Sequence, residues 1–265
     1  MEEYRVKMSR RPRSTGDGEK RFYVPKSMVQ KNDEIYLALR LVCDRRQFGE
    51  CFRRLMPSQF DRMGSDSGVM IRGFIPSGDM VPRMNFPGDI DLLVIPYEGE
   101  DMIVSSALAI ELKAVRPTFQ KQGKSPGDFG FSQAAGMLQH GFPYVAVGHL
   151  IVSDASPEHA WRKVLQTKVI DAAAGTVEEP WETAVDMMPA DLIKRSFGRL
   201  QANCKFPELG LLASYVSENG SWIPQGKQAT FNGLVSSDTM LAIAQYYEQN
   251  VDSFLDTPKY PPPLA

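Results

Sequence analysis

Two stretches decide how this chain is read: Asp89-Ile90-Asp91-Leu92-Leu93-Val94-Ile95 and Ala107-Leu108-Ala109-Ile110-Glu111-Leu112-Lys113-Ala114-Val115. Both are runs of aliphatic and β-branched residues bounded by turn formers, and both predict strands. Between them, Glu98-Gly99-Glu100-Asp101 is a turn signal, so the two runs predict an antiparallel hairpin. Side chains alternate faces along a strand. Asp89 and Asp91 therefore share a face, Glu111 and Lys113 share a face, and Leu112 points the other way. A turn near Gly99 brings Asp91 opposite or diagonal to Glu111, and Asp89 near Lys113.

Ionisable groups in apolar strands cost free energy unless they are paired or bind an ion. Two converging carboxylates repel, and a hard divalent cation relieves that repulsion. Mg²⁺ takes one or two carboxylates, waters and phosphate oxygens. The expected donors are Asp91, Glu111 and the peptide carbonyl of Leu112, with Mn²⁺ able to substitute. Lys113 would orient and acidify an attacking water, or stabilise charge on a phosphate. These parts suffice for in-line hydrolysis of a phosphodiester. A structural ion pair within the sheet would use the same residue types, and that reading stays open.

Working outward, Asp33 is placed to cap a helix from Glu34 to about Leu55, which Gly49 could divide. Ile35, Leu39, Val42 and Leu55, with Leu41 and Phe48, suit an inward stripe, and Arg40, Arg45, Arg46, Arg53 and Arg54 ride another face. Val69–Ile75 predicts a strand that precedes the hairpin. A helix over Phe131–His140, stopped by Gly141 and Pro143, and an apolar strand over Tyr144–Val152 follow it. Further on, helices are expected at Pro157–Gln166, Pro189–Asn203 and Ser237–Leu255, with a buried strand at Leu209–Ser217 and an extended tail over 258–263. The order is helix, three strands, helix, strand, then mixed elements: an α/β fold with helices covering a sheet.

Pro87-Gly88-Asp89-Ile90-Asp91 followed by Glu111-Leu112-Lys113, in that order of elements over residues 34–153, resembles the PD-(D/E)XK nuclease superfamily. The resemblance implies a restriction-endonuclease-like core at 32–155 and a mixed α/β extension at 156–265. It implies Asp91 as a metal ligand, with Asp89 as a supporting or alternative acid. It also implies a further acid from the first helix, for which Glu34 and Glu50 are the candidates. Gln133, on the helix after the triplet, would touch substrate or the attacking water; Gln139, His140 and Lys124 are further candidates there. The activity implied is a Mg²⁺-dependent nuclease, with DNA favoured over RNA, of the restriction or phage-defence endonuclease type. Two other readings remain. One is a catalytically silent nucleic-acid-binding subunit on the same fold, and the other is a structural protein with an incidental triplet. A requirement for metal separates them from the enzyme.

Composition sets the outer bounds. Of 265 residues, 43% are hydrophobic and 23% charged, near the average of globular domains. The formal net charge is -2, so overall charge announces no nucleic-acid partner. Residues 1–31 nevertheless hold nine Lys/Arg against four Asp/Glu, which predicts a flexible basic arm able to meet phosphates. Three widely placed cysteines with no CxxC argue against a disulfide framework or a zinc ribbon. Thr118 stands where a P-loop ending at Lys124-Ser125 needs glycine, and no HExxH, GxSxG or strand-linked GxGxxG occurs. The first residues lack an apolar signal core and no apolar run could span a bilayer, so a cytoplasmic protein without membrane contact is expected, with a homodimer or a partner protein possible.

Overall fold

The computed structural model describes residues 3–12, 24–80, 88–216 and 222–260. The chain opens with a short strand, β1 (Arg5–Lys7), and four helices: α1 (Lys26–Gln30), α2 (Glu34–Cys43), α3 (Arg45–Leu55) and α4 (Pro57–Arg62). Then come β2 (Ser67–Pro76), the helical turn α5 (Ser77–Met80), β3 (Asp89–Glu98), β4 (Asp101–Ile103), β5 (Leu108–Val115), α6 (Phe131–Gln139) and β6 (Tyr144–Ile151). Four strands, β7 (Arg162–Gln166), β8 (Val169–Asp171), β9 (Thr176–Val177) and β10 (Trp181–Val185), make two small ribbons. The chain returns through α7 (Met188–Asn203), β11 (Gly210–Tyr215), β12 (Gln225–Lys227), α8 (Ser237–Asn250) and β13 (Leu255–Pro258).

Nine strands form one mixed sheet among the described residues. Its main path runs β13-β2-β3-β5-β6-β11-β12, and β4 with β1 joins the far end of β3. β2, β3 and β5 are antiparallel neighbours, whereas β5, β6 and β11 run parallel. α6 is the crossover that parallel β5 and β6 require. The expected hairpin exists, with Leu92, Leu93 and Val94 facing Ile110, Ala109 and Leu108. The C-terminal part adds strands to this same sheet, with β11 beside β6 and β13 beside β2.

Both faces of the sheet are covered, which is why its central strands read as nearly continuous apolar runs. One layer packs Leu93, Ala109, Val145 and Val147 beneath α6 and α8 residues such as Met137 and Tyr247. The other packs Val94, Ile110, Leu112 and Leu150 beneath Leu41, Phe48 and Phe52 of α2 and α3. No helix among the described residues is long and apolar enough to cross a membrane.

Four sequence expectations are corrected. The first long helix breaks at Asp44 and not at Gly49. Asp44 leaves helical geometry and accepts a hydrogen bond from the Gln47 amide at 3.0 Å, which caps α3 anew. Residues 157–166 are a 3-10 turn followed by β7, because β7 pairs along its whole length with β10 fifteen or more residues away. The last helix stops before Leu255, which belongs to β13 and pairs with Ile71. Residues 3–12, expected within a flexible arm, run along the body: β1 pairs with β4, Met8 is buried, and the Tyr247 hydroxyl donates to the Arg10 carbonyl at 2.9 Å. Arg5, Lys7, Arg10 and Arg11 pair with Glu3 and Glu98, Glu100, Asp252 and Asp66, so their charge is spent on the body's acids. Residues 13–23 of that arm lie outside the described residues.

At the β2–β13 seam, a Cβ on Gly68 would lie 2.4 Å from the Tyr97 hydroxyl and 2.7 Å from the Thr257 carbonyl. Tyr97 itself donates to Asp256 at 2.8 Å within this seam. Gly68→Ala should therefore destabilise the fold by about 1–3 kcal/mol through overpacking, read as a lower urea midpoint; an unchanged midpoint would mean that β13 is not seated there.

Candidate active site

The site begins with β5. Glu111 and Lys113 project to one face, and the Lys113 ammonium donates to Glu111 Oε1 at 2.5 Å and to Gln133 Oε1 at 3.2 Å. Glu111 is completely buried, its second oxygen, Oε2, meets no hydrogen-bond donor among the described residues, and its carboxyl lies within hydrogen-bonding reach of the Asp91 carboxyl. Across the hairpin, Asp91 is buried at the start of β3, and its Oδ2 accepts the Leu112 amide at 2.7 Å.

Two helix beginnings close the site. α6 starts at Gly130, whose φ of +83° suits glycine. Its Cβ, if it had one, would meet Glu111 Cγ at 2.7 Å, so the helix can approach the carboxylate only through a glycine. That approach delivers Gln133 to Lys113. Gly88, at φ +105°, lies so close that a Cβ there would sit 2.0 Å from Gln133 Nε2. α2 starts at Glu34, held by the Asp33 cap, which accepts the Ile35 amide at 3.1 Å. Glu34 Oε2 accepts the Ala114 amide at 2.8 Å, and its charge reaches both Asp91 and Lys113.

Electrostatics follow from this packing. Burial pushes Asp91 up to about 6, opposed by the Leu112 amide. Burial, then the neighbouring Asp91 charge, pushes Glu111 up to about 8. Burial alone would lower Lys113, but the Glu111 hydrogen bond and charge, with Glu34 and Asp91, outweigh it, and Lys113 is held above the ordinary lysine value as an ammonium. On the next strand, His149 stands in register with Lys113. Its Nδ1 bonds the Ser196 hydroxyl of α7 at 2.8 Å, its Nε2 has no partner among the described residues, and the Phe129 ring lies 5.6 Å away. Burial pushes its value down to about 4, so it is a neutral wall beside the site.

Asp91, Glu111, Lys113 and Gln133, expected together, are together. Leu112 contributes its N–H, to Asp91, in the contact observed. Asp89 is exposed and pairs with Pro76 in the ladder, outside the cluster, and Pro87 lies outside the described residues. Glu50 is corrected: the cap at Asp44 puts it on a separate helix, where it lines a cavity of about 310 Å³ with Arg46, Phe60 and Thr257. The acid that the first helix brings to the site is Glu34. Gln139 and His140 sit at the opposite end of α6 from Gln133, where the His140 carbonyl accepts the Thr239 hydroxyl. Lys124 is exposed, and its carbonyl accepts from Arg199 at 2.9 Å. Sequence reasoning missed His149 and Gly130; His149 shows itself only through the parallel register of β5 and β6, which no local pattern encodes.

Among the described residues no group of three or more His, Cys, Asp or Glu converges as a cage, which argues against a closed zinc-type site. Two adjoining buried carboxyls, one with an oxygen that meets no donor among the described residues, fit Mg²⁺ or Mn²⁺, which leave their remaining positions to water and phosphate. No protein-family model matches the chain, and no curated protein or solved structure matches it either.

The raised carboxyls carry a stability signature. Because both values lie above the ordinary carboxylate range, these two groups hold more protons in the folded chain than in the unfolded one up to about 8, while buried His149, pushed down to about 4, works in the opposite sense below its ordinary value. Their contribution is present below the ordinary carboxylate value and is lost as the pH climbs through about 6 and about 8. With a chelator present, the melting temperature should fall between pH of about 5 and about 8, and the Asp91→Asn/Glu111→Gln double variant should flatten most of that fall. A wild-type melting temperature insensitive to pH there would contradict a buried, repelling pair.

Proposed function

We propose that this protein is a Mg²⁺-dependent phosphodiesterase acting on nucleic acid, with DNA favoured, built on a restriction-endonuclease-like core. The observation that carries the proposal is the pair of buried carboxyls, Asp91 and Glu111, held within hydrogen-bonding reach of each other beside an ammonium, with no donor to Glu111 Oε2 among the described residues. An ion pair kept for stability has little reason to leave a buried oxygen unsatisfied. The order α2, β2, β3, β5, α6, β6, with an antiparallel hairpin and a parallel final pair, supports the core assignment.

In this reading Asp91 and Glu111 hold the cation, with the Leu112 carbonyl available as a further oxygen and Glu34 holding the end of β5 in place. A bound Mg²⁺ or Mn²⁺ would supply Lewis-acid polarisation of the phosphate and a more acidic water. Lys113, kept charged by its neighbours, donates to the developing negative charge on phosphate oxygens. Gln133 accepts from Lys113 through Oε1 and steadies the ammonium, with its Nε2 packed against Gly88 at the mouth of β3. His149 and Phe129 exclude bulk water from one side of the site.

The test is cleavage of linear, circular and single-stranded DNA, and of RNA, with Mg²⁺, Mn²⁺ or chelator. Asp91→Ala and Glu111→Ala should abolish cutting while the circular-dichroism spectrum is kept. Lys113→Ala should lose about 10²–10³ in turnover while retaining Mn²⁺ binding by calorimetry. Binding of DNA without any metal requirement or cleavage would instead favour the silent binding subunit.

A further inference from the structure

Basic side chains gather on two segments that are tied together. The loop that carries β5 towards α6, residues 116–127, holds Arg116, Lys121 and Lys124 and no acid. The stretch of α7 and its exit over 192–207 holds Lys194, Arg195, Arg199 and Lys205 and no acid. Arg195 donates to Gln122 Oε1 at 2.9 Å. Arg199 donates to the Lys124 carbonyl at 2.9 Å and to Ser125 Oγ at 3.0 Å. These acceptors are neutral, so both guanidiniums keep their charge uncompensated. None of the cations on the two segments pairs with a carboxylate among the described residues. On a chain of net charge -2, this is a local surface of one sign.

The acids that adjoin it are already engaged or stand at its edge. Asp154 accepts the Phe119 amide at 2.7 Å, Asp128 accepts the Gly130 amide at 3.0 Å, and Asp191 is paired with Arg162. Glu158 precedes His159, whose ring meets Phe119 edge-on. Lys121, Lys124, Lys194 and Arg195 are exposed to solvent. The surface leads to the candidate active site through His149. Phe129, just past the loop, packs on the His149 ring at 5.6 Å, Ser196 of α7 bonds its Nδ1 at 2.8 Å, and Lys113 stands in register with it. Arg199 lies one turn beyond Ser196 on the same helix face, and the Arg199 and Lys113 charges both reach the His149 ring.

We infer that the 116–127 loop and α7 form one track that holds the sugar-phosphate backbone of a nucleic acid and leads it to Lys113. The inference rests on the nuclease reading for what happens at the end of the track, and not for the binding itself. Cations strung along two segments on exposed stems suit a polymer of regularly spaced phosphates better than one small anion. Contacts of this kind set the position of the backbone and read no base sequence. The loop continues β5, whereas α7 belongs to the C-terminal part. The two parts of the chain therefore share the substrate: β5 carries the chemistry, and α7 braces the loop and adds to its grip.

Fluorescence anisotropy of the full chain with a labelled DNA duplex, with Ca²⁺ in place of Mg²⁺ and again with chelator, tests the track without reference to cleavage. Lys121→Ala/Lys124→Ala and Lys194→Ala/Arg195→Ala should each weaken binding by about tenfold or more and lower the slope of log affinity against log salt by about 2. The charge-keeping pairs Lys121→Arg/Lys124→Arg and Lys194→Arg/Arg195→Lys should bind as wild type, which separates lost charge from a damaged loop or helix. Arg53→Gln/Arg54→Gln, on the α3 helix that covers the opposite face of the sheet, should also bind as wild type. Binding lost in the two alanine pairs supports the track even where wild type cuts nothing, a result that would count against the nuclease reading alone. Wild-type affinity in either alanine pair, an equal loss in the α3 pair, or a wild type that binds DNA under neither condition would each overturn the inference.

Discussion

The arrangement turns on a main-chain donor claimed by a side chain. β3 and β5 pair through Leu92↔Ile110, and one step further Asp91 would face Glu111. At that step the Leu112 amide goes to the Asp91 carboxylate at 2.7 Å. The ladder ends there, the strand ends part, and two acids come to share a space lined by apolar layers. Burying carboxylates together opposes folding, since desolvation and mutual repulsion both penalise the charged forms. The surrounding sheet, covered on both faces, supplies the burial that offsets this cost.

A second irregularity lies across β3 from the same point. In β2, Phe74 adopts φ +54°, a conformation rare for a bulky residue, and it is missing from a ladder that is regular on either side of it. Val69, Ile71, Leu92 and Val94 face the α2–α3 layer, yet Ile75 and Ile90 lie in the opposite layer. Simple alternation would place Ile75 with Ile71 and Ile90 with Leu92. Both strands therefore turn over between these residues, at Phe74 and Asp91. The turnover gives Asp91 a position at a strand end belonging to neither apolar layer. A strained residue of this kind costs about 1–3 kcal/mol and persists because the packing around it leaves no other path.

The core of the fold was legible because its signals are local. Aliphatic strands separated by glycine turns, the Asp33 cap, and Gly141 with Pro143 after α6 each act within a few residues. The facing of Asp91 and Glu111 was legible too, although the connection is more elaborate than a tight hairpin. β4 pairs the tip of β3 first, and the 3-10 turn Val104–Ser106 adds three residues before β5 resumes along the same edge. The register survived because it shifts by little and by an amount that leaves the two acids adjacent. What could not be read depends on partners far away in the chain. β1 joins β4 across about a hundred residues, β13 joins β2 across nearly two hundred, and His149 meets Lys113 through a parallel crossover. The choice of Glu34 over Glu50 rests on one residue, Asp44, whose side chain ends one helix and starts the next.

The two oxygens of Glu111 are engaged unequally. Oε1 is engaged by Lys113, and Oε2 faces no donor among the described residues. A cation arriving at Oε2 need not displace the lysine, so the ammonium stays beside the ion instead of competing with it. The lysine is in turn tied to Gln133, which α6 delivers through a glycine that allows its first turn to touch Glu111. Helix, ammonium and carboxylate are thus positioned as one unit before any ligand binds. In the proposed reaction such preorganisation lowers the barrier, because charges fixed in a dry cleft need no rearrangement as negative charge develops on the phosphate.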